Sequence, residues 1–372
     1  MKIYYKFRSE SEKIDFTSAL EEYKKGISPE ELAMKILSPI VQETTNSCTL
    51  QVYKTGTFAI IFKVFLCDNG RRSYYIKFYR NRSPVKEYTP ERMKRLCLRE
   101  YMILKAINDE FSRDPDVNAV KAVNILPDLG CFLTEECKGI NFEVFVKNLA
   151  RKLFLDRYVL HTGKYFPHLE KYIRKIGKLM AKVHELHLDY EMFRERIPFY
   201  MLDFEYKKHK FLKGVKEIAP KLEKEAVVRV SKLEAKAESI FSHLEPTGIA
   251  NVDTNLTNFI ITPNGKVYAL DFFLAQYGPA YLPAGKFLAV LDLTLFPFAS
   301  ERSFHRLKKS FIESYNKAAT THRLELEILD FFIGWNYLTM IPRFNKSSYK
   351  YNYYKFLYLK KMGMIFKFWE HL

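Results

Sequence analysis

Three polar side chains close together in the sequence carry the chemistry that this chain can do. In Asn251-Val252-Asp253-Thr254-Asn255-Leu256-Thr257-Asn258, Asp253 and Asn258 stand five positions apart, and Asp271 follows 18 positions after Asp253. One hairpin intervenes, with Pro263-Asn264-Gly265 as its turn. Phosphoryl transfer needs such a trio. One carboxylate orients the attacking hydroxyl and accepts its proton, while a carboxamide and a second carboxylate hold Mg²⁺ on the phosphates. Read without that chemistry, the same stretch is an Asn- and Asp-rich loop ahead of a hairpin.

The elements that must position these residues follow from periodicity. Phe58 to Leu66 and Ser73 to Tyr79 are dense in β-formers, and Cys67-Asp68-Asn69-Gly70 between them is a hairpin signal. Lys77 lies inside the second run, where an unpaired lysine would be costly to bury; the alternative is an outward-facing strand residue. A helix is expected from Pro90 to about Asn108, with Met93, Leu96, Cys97, Tyr101 and Leu104 on one face. It carries Glu100, 23 positions after Lys77, and also Glu91, a rival partner for that lysine. Val123 to Leu126 and Cys131 to Glu135 read as two more strands. After Gly139 the pattern is mainly helical, clearest over Phe166 to Leu188. The expected class is α+β: residues 1–45 form an N-terminal extension, 46–137 a small antiparallel β-rich lobe, and 138–372 a larger helical lobe.

With these residues in view, the sequence resembles the protein-kinase-like superfamily, in its aminoglycoside/choline-kinase-like branch of small-molecule phosphotransferases. The resemblance rests on Asp253 with Asn258, on Asp271-Phe272-Phe273, and on Gly177-Lys178-Leu179-Met180-Ala181-Lys182-Val183-His184. It implies a bilobal kinase-like fold, Asp253 as catalytic base, and Asn258 and Asp271 as magnesium ligands. It further implies that Lys77 and Glu100 organise the phosphates of ATP beneath a turn at Gly56. Leu133 to Gly139, including Glu135 and Cys137, would be the hinge whose backbone pairs with adenine. From His184 to Asp253 there are 69 positions. Protein kinases have no room for these, whereas the small-molecule branch inserts acceptor-pocket helices there, so residues 189–246 take that role. Two positions depart from the family pattern: Asn251 stands for the usual His, and Phe273 for the usual Gly. They motivate an alternative, a pseudokinase-like nucleotide-binding or scaffold protein.

Composition bounds the rest. The 372 residues are 48% hydrophobic and 28% charged, enough for a sizeable core. The most apolar stretch, Tyr281 to Ala299, is broken by Lys286, Asp292 and two prolines, so no membrane span is expected. The first ten residues lack the apolar core of a signal peptide. Five irregularly spaced cysteines match neither a disulfide framework nor a zinc motif, which suggests a cytoplasmic protein. There is no Walker A pattern. His184, three positions from His187, lacks zincin spacing and reads as a structural anchor. Sixty Lys plus Arg against 43 Asp plus Glu give +17, carried either as a solvated surface or toward an anionic partner. The aromatic and basic tail, Ser347 to Lys361 and then Phe366-Lys367-Phe368-Trp369, reads as a docked C-terminal helix, as a peripheral contact with anionic membrane, or as a nucleic-acid surface. With no recognised module, nucleic acid is not the expected partner. The expected acceptor is a hydroxyl of a small molecule or glycan: a sugar, an aminoglycoside-like compound, an amino alcohol or a lipid-linked saccharide.

Overall fold

The computed structural model describes residues 1–23, 26–41, 47–56, 58–66, 73–80, 89–155, 165–194, 199–296, 298–339 and 351–372. The expected turn at 67–70 and tail residues 347–350 lie outside them, as do the side chains of 351–358. The chain divides into two compact units. One is Met1–Gly139 with Thr262–Phe273; the other is Ile140–Ile261 with Leu274–Leu372.

The first unit is built on a six-stranded sheet. In chain order its elements are β1 (Lys2–Lys6), α1 (Glu10–Tyr23), α2 (Pro29–Leu37), β2 (Ser47–Thr55), β3 (Ala59–Leu66), β4 (Tyr74–Tyr79), α3 (Pro90–Phe111), β5 (Val117–Ala119), β6 (Ala122–Leu126) and β7 (Cys131–Glu135). The sheet order is β1-β2-β3-β4-β7-β6, antiparallel except for the parallel β1–β2 edge. Period-2 alternation gives β4 two working faces. Tyr74, Ile76 and Phe78 are buried on one, where Phe16 of α1 meets Phe62 and Phe78, each at 5.1 Å between ring centroids. Lys77 and Tyr79 point to the other. Ser28 caps α2, accepting from the Glu31 N–H at 3.1 Å, and Thr89 caps α3 with Pro90 at its first position. The strand Val267–Ala269 pairs in parallel with β5, which fixes the chain just ahead of Asp271 to this unit.

The second unit is helical: β8 (Ile140–Asn141), α4 (Phe142–Leu155), α5 (Phe166–His184), α6 (Tyr190–Phe193), α7 (Phe199–Ile218), α8 (Glu223–His243), β9 (Gly248–Asn251), β10 (Phe259–Ile261), α9 (Tyr281–Leu295), α10 (Glu301–Ala318), α11 (Leu326–Asn336) and α12 (Tyr351–Glu370). A strand at Ala275–Gly278, absent from the sequence reading, pairs antiparallel with β9. Gly177 lets α5 and α10 approach closely, since a Cβ there would lie 2.7 Å from the Phe311 carbonyl oxygen. The described end of α12 docks. Phe366 and Trp369 are buried, Trp369 Nε1 donates to the Gly334 carbonyl at 3.1 Å, and Lys361 pairs with Asp292. These two aromatics face the core and so do not supply a membrane surface. Among the described residues no helix is long and apolar enough to cross a membrane. The expected α+β class, an antiparallel-rich sheet followed by helices, is the observed one.

Candidate active site

In the first unit Lys77 joins two carboxylates. Its Nζ donates to both Glu100 oxygens at 3.0 and 2.8 Å and to Asp271 Oδ1 at 2.7 Å. Glu100, not the exposed Glu91, meets the lysine. Three opposing charges in little water make each pKa a contest. Burial alone would lower the Lys77 ammonium, but the Asp271 and Glu100 carboxylates outweigh it and raise it. Burial keeps the Glu100 carboxyl above the usual range despite Lys77. Burial pushes Asp271 up too, but Lys77 prevails and holds it below the ordinary value. The cluster thus has one cation against two acids, and the Asp271 side chain is still 41% exposed. Tyr79, which sequence reasoning missed, donates its hydroxyl to Glu100 and lies beneath Lys77, 5.1 Å from Nζ to ring centroid.

The backbone departure falls on Asp271 and not on Phe273. Asp271 has φ 64°, the one described non-glycine residue in the left-handed region, which aspartate tolerates better than most. Its carboxylate accepts from the Phe273 N–H. Phe273 therefore needs no glycine-like freedom. Its ring instead stacks on Tyr79 at 5.3 Å and on Phe58 at 5.0 Å. Gly56 closes the β2–β3 turn, donating its N–H to the Ala59 carbonyl at 2.8 Å. A Cβ there would meet nothing nearer than that same oxygen at 3.6 Å, so nothing in the turn itself demands glycine. In the segment expected to form the hinge, the Glu135 N–H donates to the Lys121 carbonyl at 2.9 Å and its carboxylate accepts from Lys121 Nζ. Burial pushes the Cys137 thiol up to about 11.

In the second unit a net of short hydrogen bonds shapes the loop that carries Asp253. Asn251 Oδ1 accepts from the Asp253 N–H at 3.2 Å, and Thr254 Oγ1 donates to the Asn251 carbonyl at 2.6 Å. Asn255 Nδ2 donates to Asp253 Oδ1 at 2.7 Å, aiming the carboxylate. Asn258 Nδ2 donates to the Asp253 carbonyl at 2.9 Å, while its Oδ1 accepts from Thr257 Oγ1 at 3.2 Å. The loop is anchored from behind by His184. Because a carbonyl can only accept, His184 Nδ1–H donates to Ile249 at 3.3 Å, and the Thr247 hydroxyl donates to Nε2 at 2.8 Å. Burial holds this imidazole neutral, its pKa lowered to about 4. Gly248 is required at this joint: a Cβ would fall 1.9 Å from the His184 carbonyl oxygen.

The helices of 189–246 bring one further group. Lys207 is buried, paired with Asp203, donating to Asn336 Oδ1 at 2.8 Å and lying 5.1 Å above the Trp335 ring. Burial pulls its pKa down to about 8 against the pull of Asp203; Lys286 lowers it further and Asp253 raises it, so it lies within the field of both. Its partners are scattered along the chain, and only periodicity in α7 could have marked it as buried.

The residues also suit a magnesium ion. Asn258 and Asp271 offer the hard oxygen donors that Mg²⁺ prefers. Among the described residues no cluster of three or more His, Cys, Asp or Glu forms a ready-made metal cage.

No family model and no curated protein matches the chain. Among solved structures it is similar to the spectinomycin phosphotransferase APH(9)-Ia, in complex with ADP and spectinomycin. Identity is 14% and the TM-score 0.53, covering 94% of this chain and 100% of that one. Weaker likenesses are to the choline kinase LicA from Streptococcus pneumoniae, at 13% identity, TM-score 0.48, and 92% and 99% coverage. Another is the Plasmodium vivax ethanolamine kinase, at 14%, 0.49, and 95% and 93%. The first of these likenesses shows the fold: the chain has a kinase-like fold, similar to that of this phosphotransferase.

Proposed function

We propose that the protein is an ATP- and Mg²⁺-dependent phosphotransferase that moves the γ-phosphoryl group to a hydroxyl of a small molecule or glycan. The observation that carries this reading is the Lys77–Glu100–Asp271 cluster. It holds a strand lysine charged and aimed, and it keeps a partly exposed carboxylate beside it. Lys77 would bind the phosphates with the Gly56 turn above them, and the 135–137 backbone would face adenine. Asn258 and Asp271 would hold magnesium, which neutralises charge developing on the phosphates. Asp253, turned by Asn255, would accept the acceptor's hydroxyl proton as that oxygen bonds to the γ-phosphorus. The bond from phosphorus to the bridging oxygen breaks, and ADP leaves. Asn251 and Phe273, which prompted the pseudokinase alternative, each have a local substitute for the missing group: a hydrogen bond to the Asp253 N–H and an aromatic stack.

Lys207 narrows the acceptor. An ammonium held over an aromatic ring beside a carboxylate already fills the kind of site that would receive a cationic ligand. With Lys286 also in its field, this side favours neutral or anionic acceptors over amines.

The test is calorimetric ATP binding with and without Mg²⁺, followed by transfer from labelled ATP. Asp271→Ala should lose the magnesium-dependent part of binding. Asp253→Asn should keep binding and lose turnover by about 10² to 10⁴. A wild type that binds no ATP would refute the reading, and one that binds without any turnover would favour the pseudokinase alternative.

A further inference from the structure

Residues 1–23 do more than extend the sheet. Phe16 seats α1 on the sheet face formed by Phe62 and Phe78, and from there Glu12 reaches the start of the β2–β3 turn directly and Asp15 reaches it through Arg80. Glu12 accepts from Arg8 Nε at 2.9 Å and from the Thr55 hydroxyl at 2.7 Å, while Arg8 Nη2 donates to the same hydroxyl at 3.0 Å. One helical turn on, buried Asp15 pairs with buried Arg80. Arg80 Nη2 donates to the Gly56 carbonyl at 2.9 Å, and the Arg80 N–H donates to the Phe58 carbonyl at 2.9 Å. Thr55, Gly56 and Phe58 are thus each held by a group outside the turn.

We propose that Glu12 and Asp15 are positioning residues for the nucleotide phosphates: through Thr55 and Arg80 they fix the backbone of the β2–β3 turn in the conformation that meets ATP. The proposal rests on the nucleotide reading given above. A turn that covers phosphates must be ordered when it binds, and ordering it beforehand removes that entropic cost from binding. Two backbone bonds, from the Gly56 N–H to Ala59 and from the Arg80 N–H to Phe58, order this turn in part, and the side chains of Glu12 and Arg80 add the hold on Thr55 and on the Gly56 carbonyl. A buried arginine–carboxylate pair is a poor source of net stability compared with apolar residues of the same volume. What it supplies is direction, here the direction of the Gly56 carbonyl. The turn and its supports are separated by more than 40 positions for Glu12–Thr55 and 65 for Asp15–Arg80, so the clamp is a tertiary device of the N-terminal segment.

The experiment measures dissociation constants of ATP and of adenosine, in magnesium buffer, for the full-length wild type, Glu12→Ala, Glu12→Gln and Asp15→Asn, with circular dichroism to establish folding. A positioning role acts on phosphates alone. Glu12→Ala should weaken ATP about tenfold, the scale of one charge-assisted hydrogen bond, and leave adenosine unchanged. Glu12→Gln, which can still accept from Thr55, should recover most of the loss. Asp15→Asn leaves a buried guanidinium without its carboxylate and can fail to fold; Thr55→Val, which cuts the Glu12 tie without unpairing a buried charge, then takes its place. Equal losses for ATP and adenosine, or no loss of ATP affinity in any folded variant, would overturn the clamp while leaving the nucleotide reading intact. A wild type that binds adenosine and ATP not at all would overturn both.

Discussion

Phe273 shows how one residue can depart from a sequence pattern while the local structure finds a substitute for it. The left-handed conformation is taken by Asp271, and the Phe273 ring fills a stack between Tyr79 and Phe58 under the Lys77 ammonium. Restoring glycine should therefore harm the protein. Phe273→Gly is expected to lower unfolding stability by about 4 kcal/mol, as for other aromatic truncations in a core, and to bring no gain in ATP affinity. Urea unfolding and calorimetry read the two effects, and a tighter-binding variant would contradict this account. At this scale much was legible. A lysine within an apolar strand, an acid one helix later and an Asp-to-Asn interval of five are local signals, because each motif lies within a single strand, helix or loop. Lys207 was illegible because its partners Asp203, Trp335 and Asn336 come from two helices more than a hundred positions apart.

Among the elements, the joint between α5 and β9 sets the position of the Asp253 loop. His184 closes it as a neutral imidazole, with a folded-state pKa of about 4 against 6.5 when exposed. Below pH 6.5 the unfolded chain binds a proton that the folded chain refuses, so stability must fall as pH drops. The loss runs from about pH 6.5 to 4 and amounts to roughly 3 kcal/mol. Denaturant unfolding across that range should show this slope in the wild type, and His184→Gln should flatten it. If both proteins follow one curve, the histidine is not the anchor. The helix itself was readable from its 3.6-residue period, and its end at His184, four residues short of the expected Leu188, is where Glu185 turns to the Thr320 and Thr321 amides. Strands β1 and Ala275–Gly278 escaped sequence reading. Each is five residues or fewer, and strands that short are fixed by the neighbour they pair with more than by their own alternation.

For the molecule as a whole, the charge of +17 calls for a solvated surface or an anionic partner, and the proposed acceptor is one place to test the second. Under the proposed transfer, Lys207, which lies within the field of both Lys286 and Asp253, predicts a preference that initial rates can measure. Neutral or phosphorylated sugars should be better acceptors than choline or an aminoglycoside at matched concentration, and Lys207→Met should narrow the gap. Faster transfer to the amines by the wild type would reverse the assignment. The α+β class and the order of β-rich and helical parts were legible because hydrophobic period changes sharply near Gly139. What the order could not reveal is that Thr262–Phe273 returns to the first unit, since β5 claims Val267–Ala269 by a parallel pairing that no local pattern encodes.

Cys137, in the proposed hinge, has a consequence for inhibitor chemistry. A Cys137 thiol with a pKa of about 11 is almost wholly protonated at neutral pH. An electrophile placed beside it would react roughly a few hundredfold more slowly than with an ordinary exposed cysteine, because the thiolate is the nucleophile. Covalent capture here would depend on long residence beside the thiol, and reversible binders of the proposed hinge backbone are the better starting point.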